Sequence, residues 1–291
     1  MTIRHLRIFL AVCDTGSMTK AADQLFMSQP SVSQAVREME EHYGVKLFDR
    51  ISKKIFLTEQ GQRVLQYGRH IVSLMDEMEA AVGDWDGQGT LKVGTSITIG
   101  TYLLPRCVNA MGKLFPQLQV EALIGNSERI ERCVLENEID FGVIEGAAHS
   151  PYIISESFAG DRLVLICPRG HAFEGREDVE FASLQKENFI LREKGSAGRE
   201  IFDGLAAAHE LDLKILWQSA SNQAIIRAVA AGIGLSVLPW SLVVESIRKG
   251  ELGTFQVREL SMERKFAVIY HRNKFLSQGA RRMIELFMDG R

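Results

Sequence analysis

Cysteine is sparse in this chain: Cys13, Cys107, Cys133 and Cys167 form no C-x-x-C pair and have no histidine at zinc-finger spacing. They read as reduced core residues. Long apolar runs are missing too. No uncharged stretch reaches the roughly 18 residues of a membrane span, and Met1-Thr2-Ile3-Arg4-His5 leads into no apolar export segment or cleavage site. Both absences place the expectation in the cytoplasm, away from membranes. Nor is there an excess of positive charge. The net charge is −3, so any DNA binding has to come from a locally basic surface.

Catalytic signatures are equally absent. Ala231-Gly232-Ile233-Gly234-Leu235 holds only G-x-G and precedes a strand instead of opening a helix, so it is no dinucleotide fingerprint. Gly195-Ser196-Ala197-Gly198-Arg199 lacks the spaced glycine and lysine of a Walker loop, and no G-x-S-x-G or H-E-x-x-H occurs. No catalytic residue, cofactor or metal ligand is expected. What the chain does have is 46% hydrophobic residues, enough for one or two ordinary cores in a soluble, multi-domain protein.

The first ninety residues show helical periods. Ile3, Leu6, Phe9, Leu10 and Cys13 share a face, Asp14-Thr15-Gly16-Ser17 stops that helix, and Ser17 caps a second one through Ala21-Ala22. Ser28 caps a third helix, on which Val32, Ala35, Val36 and Met39 form an apolar stripe. This is helix-turn-helix spacing. Gln29, Pro30, Ser31, Ser33, Gln34 and Arg37 are left for an outward face able to meet base edges, thymine methyls and phosphates. Periodicity alone also fits a three-helix bundle with a solvated face.

The next segment favours the first reading. Two short apolar runs, within 45–57, flank a basic tip and predict a hairpin wing that sets Arg50, Lys53 and Lys54 against the DNA backbone or minor groove. Thr58 then caps a long helix to about Trp85, with Val64, Ile71 and Met78 seven residues apart and Leu74, Met75, Ala81 and Val82 between. A partner helix is the expected cover for that stripe, giving a homodimer whose paired recognition helices read two half-sites of an interrupted palindrome.

Ala21-Ala22-x-x-Leu25-x-x-Ser28-Gln29-Pro30-Ser31-Val32-Ser33, Leu47-Phe48-x-Arg50 and Leu57-Thr58-x-x-Gly61 resemble the DNA-binding region of LysR-type transcriptional regulators. The resemblance is dense to about residue 61 and looser beyond. It implies recognition by Gln29, Pro30, Ser33, Gln34 and Arg37, wing contacts through Arg50 and Lys53, and dimers that pair into tetramers. RNA polymerase is a further expected partner if the chain activates. Met39 stands where the family commonly has leucine, a core swap of little consequence.

Beyond Asp84-Trp85-Asp86-Gly87-Gln88-Gly89-Thr90, strands and helices alternate: 91–94, a helix near 102–115, 120–124, a helix near 127–137, 140–144, then strands at 162–167, 188–191, 215–218, 235–238 and 265–271 and a closing helix. The expected fold class is therefore α/β. It comprises a winged helix-turn-helix domain (1–58), a linker and dimerisation helix with hinge (59–89), and a two-lobed periplasmic-binding-protein-like effector domain (90–291). In that domain, lobe I covers about 90–160 and 266–291, and lobe II about 161–265.

Ligands of open parallel sheets bind beyond the carboxyl ends of the strands. Thr95-Ser96-Ile97-Thr98, Gly125-Asn126-Ser127, Lys194 to Gly198 and Ser219 to Asn222 stand at such ends. Each alone also fits a simple helix cap. The resemblance implies an effector pocket at Thr95, Ser96, Thr98, Asn126, Ser127 and Ser196, to which Asn222 is added by position. Hydroxyls and helix N-termini favour a small anionic metabolite. Peroxide-sensing family members carry a reactive cysteine where this chain has Ala197, which argues against that mechanism. Two other readings stay open: an architectural DNA binder with a degenerate sensor, and a transport-type solute-binding protein, which the helix-turn-helix opposes.

Overall fold

The computed structural model describes residues 1–51, 54–83, 89–258 and 262–289. Its contacts define two compact units: Met1–Gly89 with Leu135–Asn137 and Asn273–Phe275, and Thr90–Val134 with Glu138–Arg272 and Leu276–Arg291.

In the first unit, α1 (Ile3–Thr15), α2 (Met18–Gln24) and α3 (Gln29–Tyr43) pack around Phe9, Val12, Ala21, Ala22, Val32, Val36 and Met39. Ser17 and Ser28 cap α2 and α3, their hydroxyls accepting the N–H groups of Lys20 and Ser31. Ala21 and Ala22 are buried because only side chains this small let α2 lie against its neighbours. A hairpin of β1 (Phe48–Ile51) and β2 (Lys54–Leu57) follows, pairing Phe48 with Leu57 and Arg50 with Ile55.

Thr58 locks that wing to α4 (Glu59–Gly83): its hydroxyl donates to Lys46 O (2.7 Å) and accepts the Gly61 N–H (2.9 Å). Gly61 lies so close that a Cβ there would strike the Leu47 carbonyl and come 2.9 Å from Leu57 Cδ2. The spacing Thr58-x-x-Gly61 is thus both a cap and a close approach.

The stripe of α4 differs from the expected one. Val64, Leu65 and Val72 pack on the unit's own core. The exposed apolar row is Tyr67, Ile71, Leu74 and Met78, at 50, 47, 52 and 51% accessibility. The seven-residue period found Ile71 and Met78 but took Val64 for their neighbour, because a helix 25 residues long turns one face to its own domain first. Trp85, its expected end, lies outside the described residues.

The second unit is built on one extended strand. A sheet runs in the order β10-β6-β11-β5-β3-β4, with β9 also on β6. Its members are β3 (Gly89–Ser96), β4 (Leu118–Gly125), β5 (Phe141–Glu145), β6 (Ile153–Pro168), β9 (Ser236–Pro239), β10 (Leu252–Phe255) and β11 (Glu263–His271). β3 and β5 are parallel. β7 (Asn188–Arg192) and β8 (Lys214–Ser219) form a parallel pair, tied to the others by the Phe189–Leu235 bridge.

In lobe I, α5 (Ile97–Tyr102), α6 (Leu104–Leu114), α7 (Ser127–Leu135) and α11 (Gln278–Met288) cover the β3 side. In lobe II, α8 (Ala197–Ala208), α9 (Asn222–Ala230) and α10 (Trp240–Arg248) cover β7, β9 and β10. The helix expected near 102–115 is α6, with Pro105 in its first turn where no N–H is needed, and the short α5 ahead of it is unexpected.

Strand β6 is longer than its apolar run. Residues Ile153 to Arg162 pair with β11, and Leu163 onward pairs with β9 and β10. Its first half, Ile153-Ile154-Ser155-Glu156-Ser157-Phe158-Ala159-Gly160-Asp161, is largely exposed and mixes apolar with polar residues without alternation, which is why only 162–167 is legible as a strand.

Candidate DNA interface and lobe-spanning polar site

The α3 face presents Gln29, Pro30, Ser31, Gln34 and Arg37 in the open, with Ser33 half-buried. Four of these side chains are already engaged along the helix, Ser31 Oγ with Ser28 Oγ (2.7 Å) among them. Gln29 Nε2 donates to Ser33 Oγ (2.7 Å), and Gln34 Nε2 donates to Glu38 Oε1 (3.0 Å). Behind them Glu40 accepts the N–H groups of Leu47 (2.9 Å) and Phe48 (3.3 Å) and the Lys46 ammonium (2.8 Å). Burial pushes the Glu40 carboxyl up, but these donors outweigh it and hold the group below the ordinary carboxylate value. Glu40 therefore fixes where the wing starts, a role that periodicity did not reveal.

Of the wing cations, Lys53 lies outside the described residues, and of Arg50 and Lys54 only the backbone is described. The turn between α2 and α3 carries Phe26 at φ +54° with 98% of its surface exposed.

In the second unit the four expected strand-end segments meet through polar contacts. Asn222 Oδ1 accepts from Arg192 Nη1 (2.9 Å), and Arg192 Nε pairs with Glu193 Oε2 (2.9 Å). Asn126 Nδ2 donates to Glu193 Oε1 (3.4 Å) and to Lys194 O (3.3 Å) across the lobes. Ser127 Oγ donates to Glu145 O (3.0 Å). Arg264 then joins Glu145 Oε2 (3.2 Å), Asp161 Oδ2 (3.4 Å) and Thr98 Oγ1 (3.3 Å). Ser196 is tied in by its own N–H to Glu193 O (3.3 Å). Gly195 sits at φ +84° beside α7, its carbonyl accepting the Glu128 N–H (3.2 Å). A Cβ there would collide with the Glu128 carboxylate and lie 3.0 Å from Glu128 Cβ.

Capping separates these hydroxyls and amides. Asn126 is a cap, accepting the Arg129 N–H (2.9 Å), and so is Ser221, accepting from Ala224 (3.2 Å). Ser96 and Ser196 occupy N-cap positions, yet neither side chain caps. Thr95 Oγ1 and Ser96 Oγ are fully buried and have no hydrogen-bond partner; the same holds for Glu145 Oε1 and Arg264 Nε. Buried polar atoms without partners are costly and rare.

Sequence reasoning missed Arg264, Glu145 and Asp161. Glu145 did carry a signal, as a carboxylate closing the apolar strand Phe141 to Ile144 at its carboxyl end. Among the described residues no cluster fit to hold a metal occurs, and no helix is long and apolar enough to cross a membrane.

Two family models match this chain: residues 3–62 fit the bacterial regulatory helix-turn-helix protein, lysR family, and residues 86–290 fit the LysR substrate binding domain. The chain is a LysR-type transcriptional regulator. It is 32% identical to the HTH-type transcriptional regulator CysL of Bacillus subtilis over 91% of this chain and 89% of that protein. Over 95% of this chain and 91% of the other, it is 32% identical to the transcriptional activator CmpR of Synechocystis. The regulatory domain of Synechocystis CcmR, solved with 2-PG, superposes with a TM-score of 0.63 at 28% identity, over 69% of this chain and 96% of that one. A full-length OxyR variant of Pseudomonas aeruginosa shares the fold, with a TM-score of 0.70 at 21% identity over 99% of this chain and 94% of that one.

As a LysR-type regulator the chain combines a DNA-binding region with an effector-binding domain, and its relatives are regulators rather than enzymes. Ala197 is the buried first residue of α8. Burial pushes the Cys13 and Cys167 thiols up to about 12, and it raises that of Cys107. Thiols held this far above neutrality are poor nucleophiles.

Proposed function

We propose that this regulator binds an interrupted palindromic operator as a homodimer, with dimers pairing, and that a small anionic metabolite held by residues 90–291 controls the binding. Residues 1–58 read DNA: Gln29, Pro30, Ser31, Ser33, Gln34 and Arg37 from the helix, and Arg50, Lys53 and Lys54 from the wing. Residues 59–89 join protomers through the exposed row Tyr67, Ile71, Leu74 and Met78, whose spacings of four, three and four suit a partner helix. The effector meets Thr95, Ser96, Thr98, Ser127 and Ser196, with Asn126 and Asn222 bracing the same seam. The chain acts in the cytoplasm and, where it activates, engages RNA polymerase.

The observation that carries the effector reading is the pair of buried, unpartnered hydroxyls of Thr95 and Ser96, on the segment whose Thr98 joins the polar network that links both lobes. The 2-PG in the CcmR structure supports an anion. A ligand seated there acts on DNA only through unequal affinity for two lobe arrangements.

Footprinting on DNA flanking the protein's own gene, with and without small anions, tests this. Protection of two half-sites whose extent changes with one anion is expected, and Arg37→Ala should weaken specific binding by about 1–3 kcal/mol. Protection without sequence preference, indifferent to every anion, would overturn it.

A further inference from the structure

The polar site between the lobes is not simply cationic. Its most deeply buried guanidinium, Arg264, faces two buried or nearly buried carboxylates, Glu145 and Asp161, so this cluster of three keeps one net negative charge. Asp161 is satisfied, its Oδ2 accepting Ser241 Oγ (2.8 Å) and Arg264 Nη2 (3.4 Å). Glu145 is not: Oε2 pairs with Arg264, while Oε1 is buried and unpartnered. Three groups able to donate are likewise unpartnered: Arg264 Nε, on the side chain that pairs with Glu145, and Thr95 Oγ1 and Ser96 Oγ at the end of β3, whose Thr95 is in register with Val143 two residues before Glu145. The site thus offers several donors and one ionised acceptor. A ligand that only accepts hydrogen bonds would leave Glu145 Oε1 orphaned and bring a second uncompensated negative charge beside it.

We infer that the effector is an oxyanion bearing its own O–H, which it donates to Glu145 Oε1 while its charged oxygens accept from Thr95, Ser96 and Arg264. Glu145 is then the residue that selects among anions. This inference rests on the effector reading above and narrows it. The O–H has two chemical sources: a carbon-bound hydroxyl, as in a hydroxy acid, or a proton retained by the oxyanion itself. The carboxylate rejects anions lacking either one, because a site built to accept a ligand O–H discriminates strongly against the analogue without it.

Calorimetric titration of the full-length protein with matched pairs tests this. Glycolate against acetate and malate against succinate probe the carbon-bound hydroxyl, and phosphate against sulfate near neutral pH probes the retained proton. At least a tenfold preference for the O–H-bearing member is expected in one pair, and the pair that shows it identifies the source. Glu145→Gln should bring that preference to within about twofold, mainly by strengthening binding of the partner without O–H. Asp161→Asn removes the same charge without touching the orphaned acceptor and should keep the preference, which also controls for charge alone if Glu145→Gln folds poorly.

Equal affinity within every pair, absence of binding by every O–H-bearing anion, or a preference that survives Glu145→Gln would overturn the inference. The effector reading fails separately. If an anion without O–H binds and shifts the footprint, the regulator still senses an anion and only the role of Glu145 falls.

Discussion

Replacing Arg264 by methionine keeps the bulk of the side chain and deletes its charge. The guanidinium is 2% accessible and reaches Glu145 (7%) at 3.2 Å and Asp161 (12%) at 3.4 Å. Without it, two carboxylates share one desolvated place with no cation between them. Breaking a buried pair by removing one partner costs about 3–5 kcal/mol, because the remaining charge loses its compensation. Two carboxylates are stranded here, so the upper half of that range is expected. Adding Glu145→Met to Arg264→Met leaves only Asp161, which keeps its bond from Ser241, and should recover about half of the loss.

Urea unfolding at neutral pH measures this. Trp217 and Trp240 both lie in the second unit and Trp85 in the first, so in a Trp85→Phe background fluorescence reports the transition of interest in a chain whose two units need not melt together. A loss below about 1 kcal/mol for Arg264→Met, the size of an exposed ion pair, would show that water reaches the cluster. That result would refute the argument from burial.

Three further outcomes are expected. His149 joins Glu131 (Nδ1, 3.1 Å) to Glu200 on α8 (Nε2, 2.8 Å), and those two hydrogen bonds raise its pKa. Its contribution is therefore complete below the ordinary imidazole value near 6.5 and is lost as pH climbs through the raised one. The melting temperature should fall over that interval in the parent and stay flatter in His149→Gln, and parallel curves would dismiss the clasp. Cys167, pushed up to about 12 by burial, should react with an aromatic disulfide about a hundredfold more slowly in the native state than in urea; equal rates would mean the thiol is exposed. Phe26, left-handed and almost wholly exposed, gives folding nothing that asparagine would not, so Phe26→Asn should stabilise the first unit by about 1 kcal/mol. Calorimetry decides that, and operator affinity measured alongside shows whether the ring is kept for DNA.

Legibility followed the strength of local patterning. The stripe Val32, Ala35, Val36 and Met39 is buried as its period implies, and Thr58-x-x-Gly61 is legible because cap and close approach both demand specific residue types. The first half of β6 is not, since its faces are both largely wet and no alternation marks it. At the strand-end polar cluster, sequence position pointed to Thr95, Ser96, Thr98 and Ser127 but could not tell Ser96, which caps nothing, from Ser221, which does. That distinction depends on where a hydroxyl ends up, a tertiary fact. Arg264 was hidden for a related reason: a cation before an apolar strand reads as solvated until two carboxylates from distant segments, Glu145 and Asp161, close over it.

Strand β6 has a consequence for how the second unit is made. Because its 16 residues carry one backbone ladder from β11 in one lobe to β9 and β10 in the other, a slip of a single residue would turn both lobes' apolar sets outward together. Neither lobe has a private register to fall back on. The pair should therefore fold as one cooperative body, and a gene fragment encoding either lobe alone, cut anywhere along β6, should yield an unstructured chain rather than half a sensor.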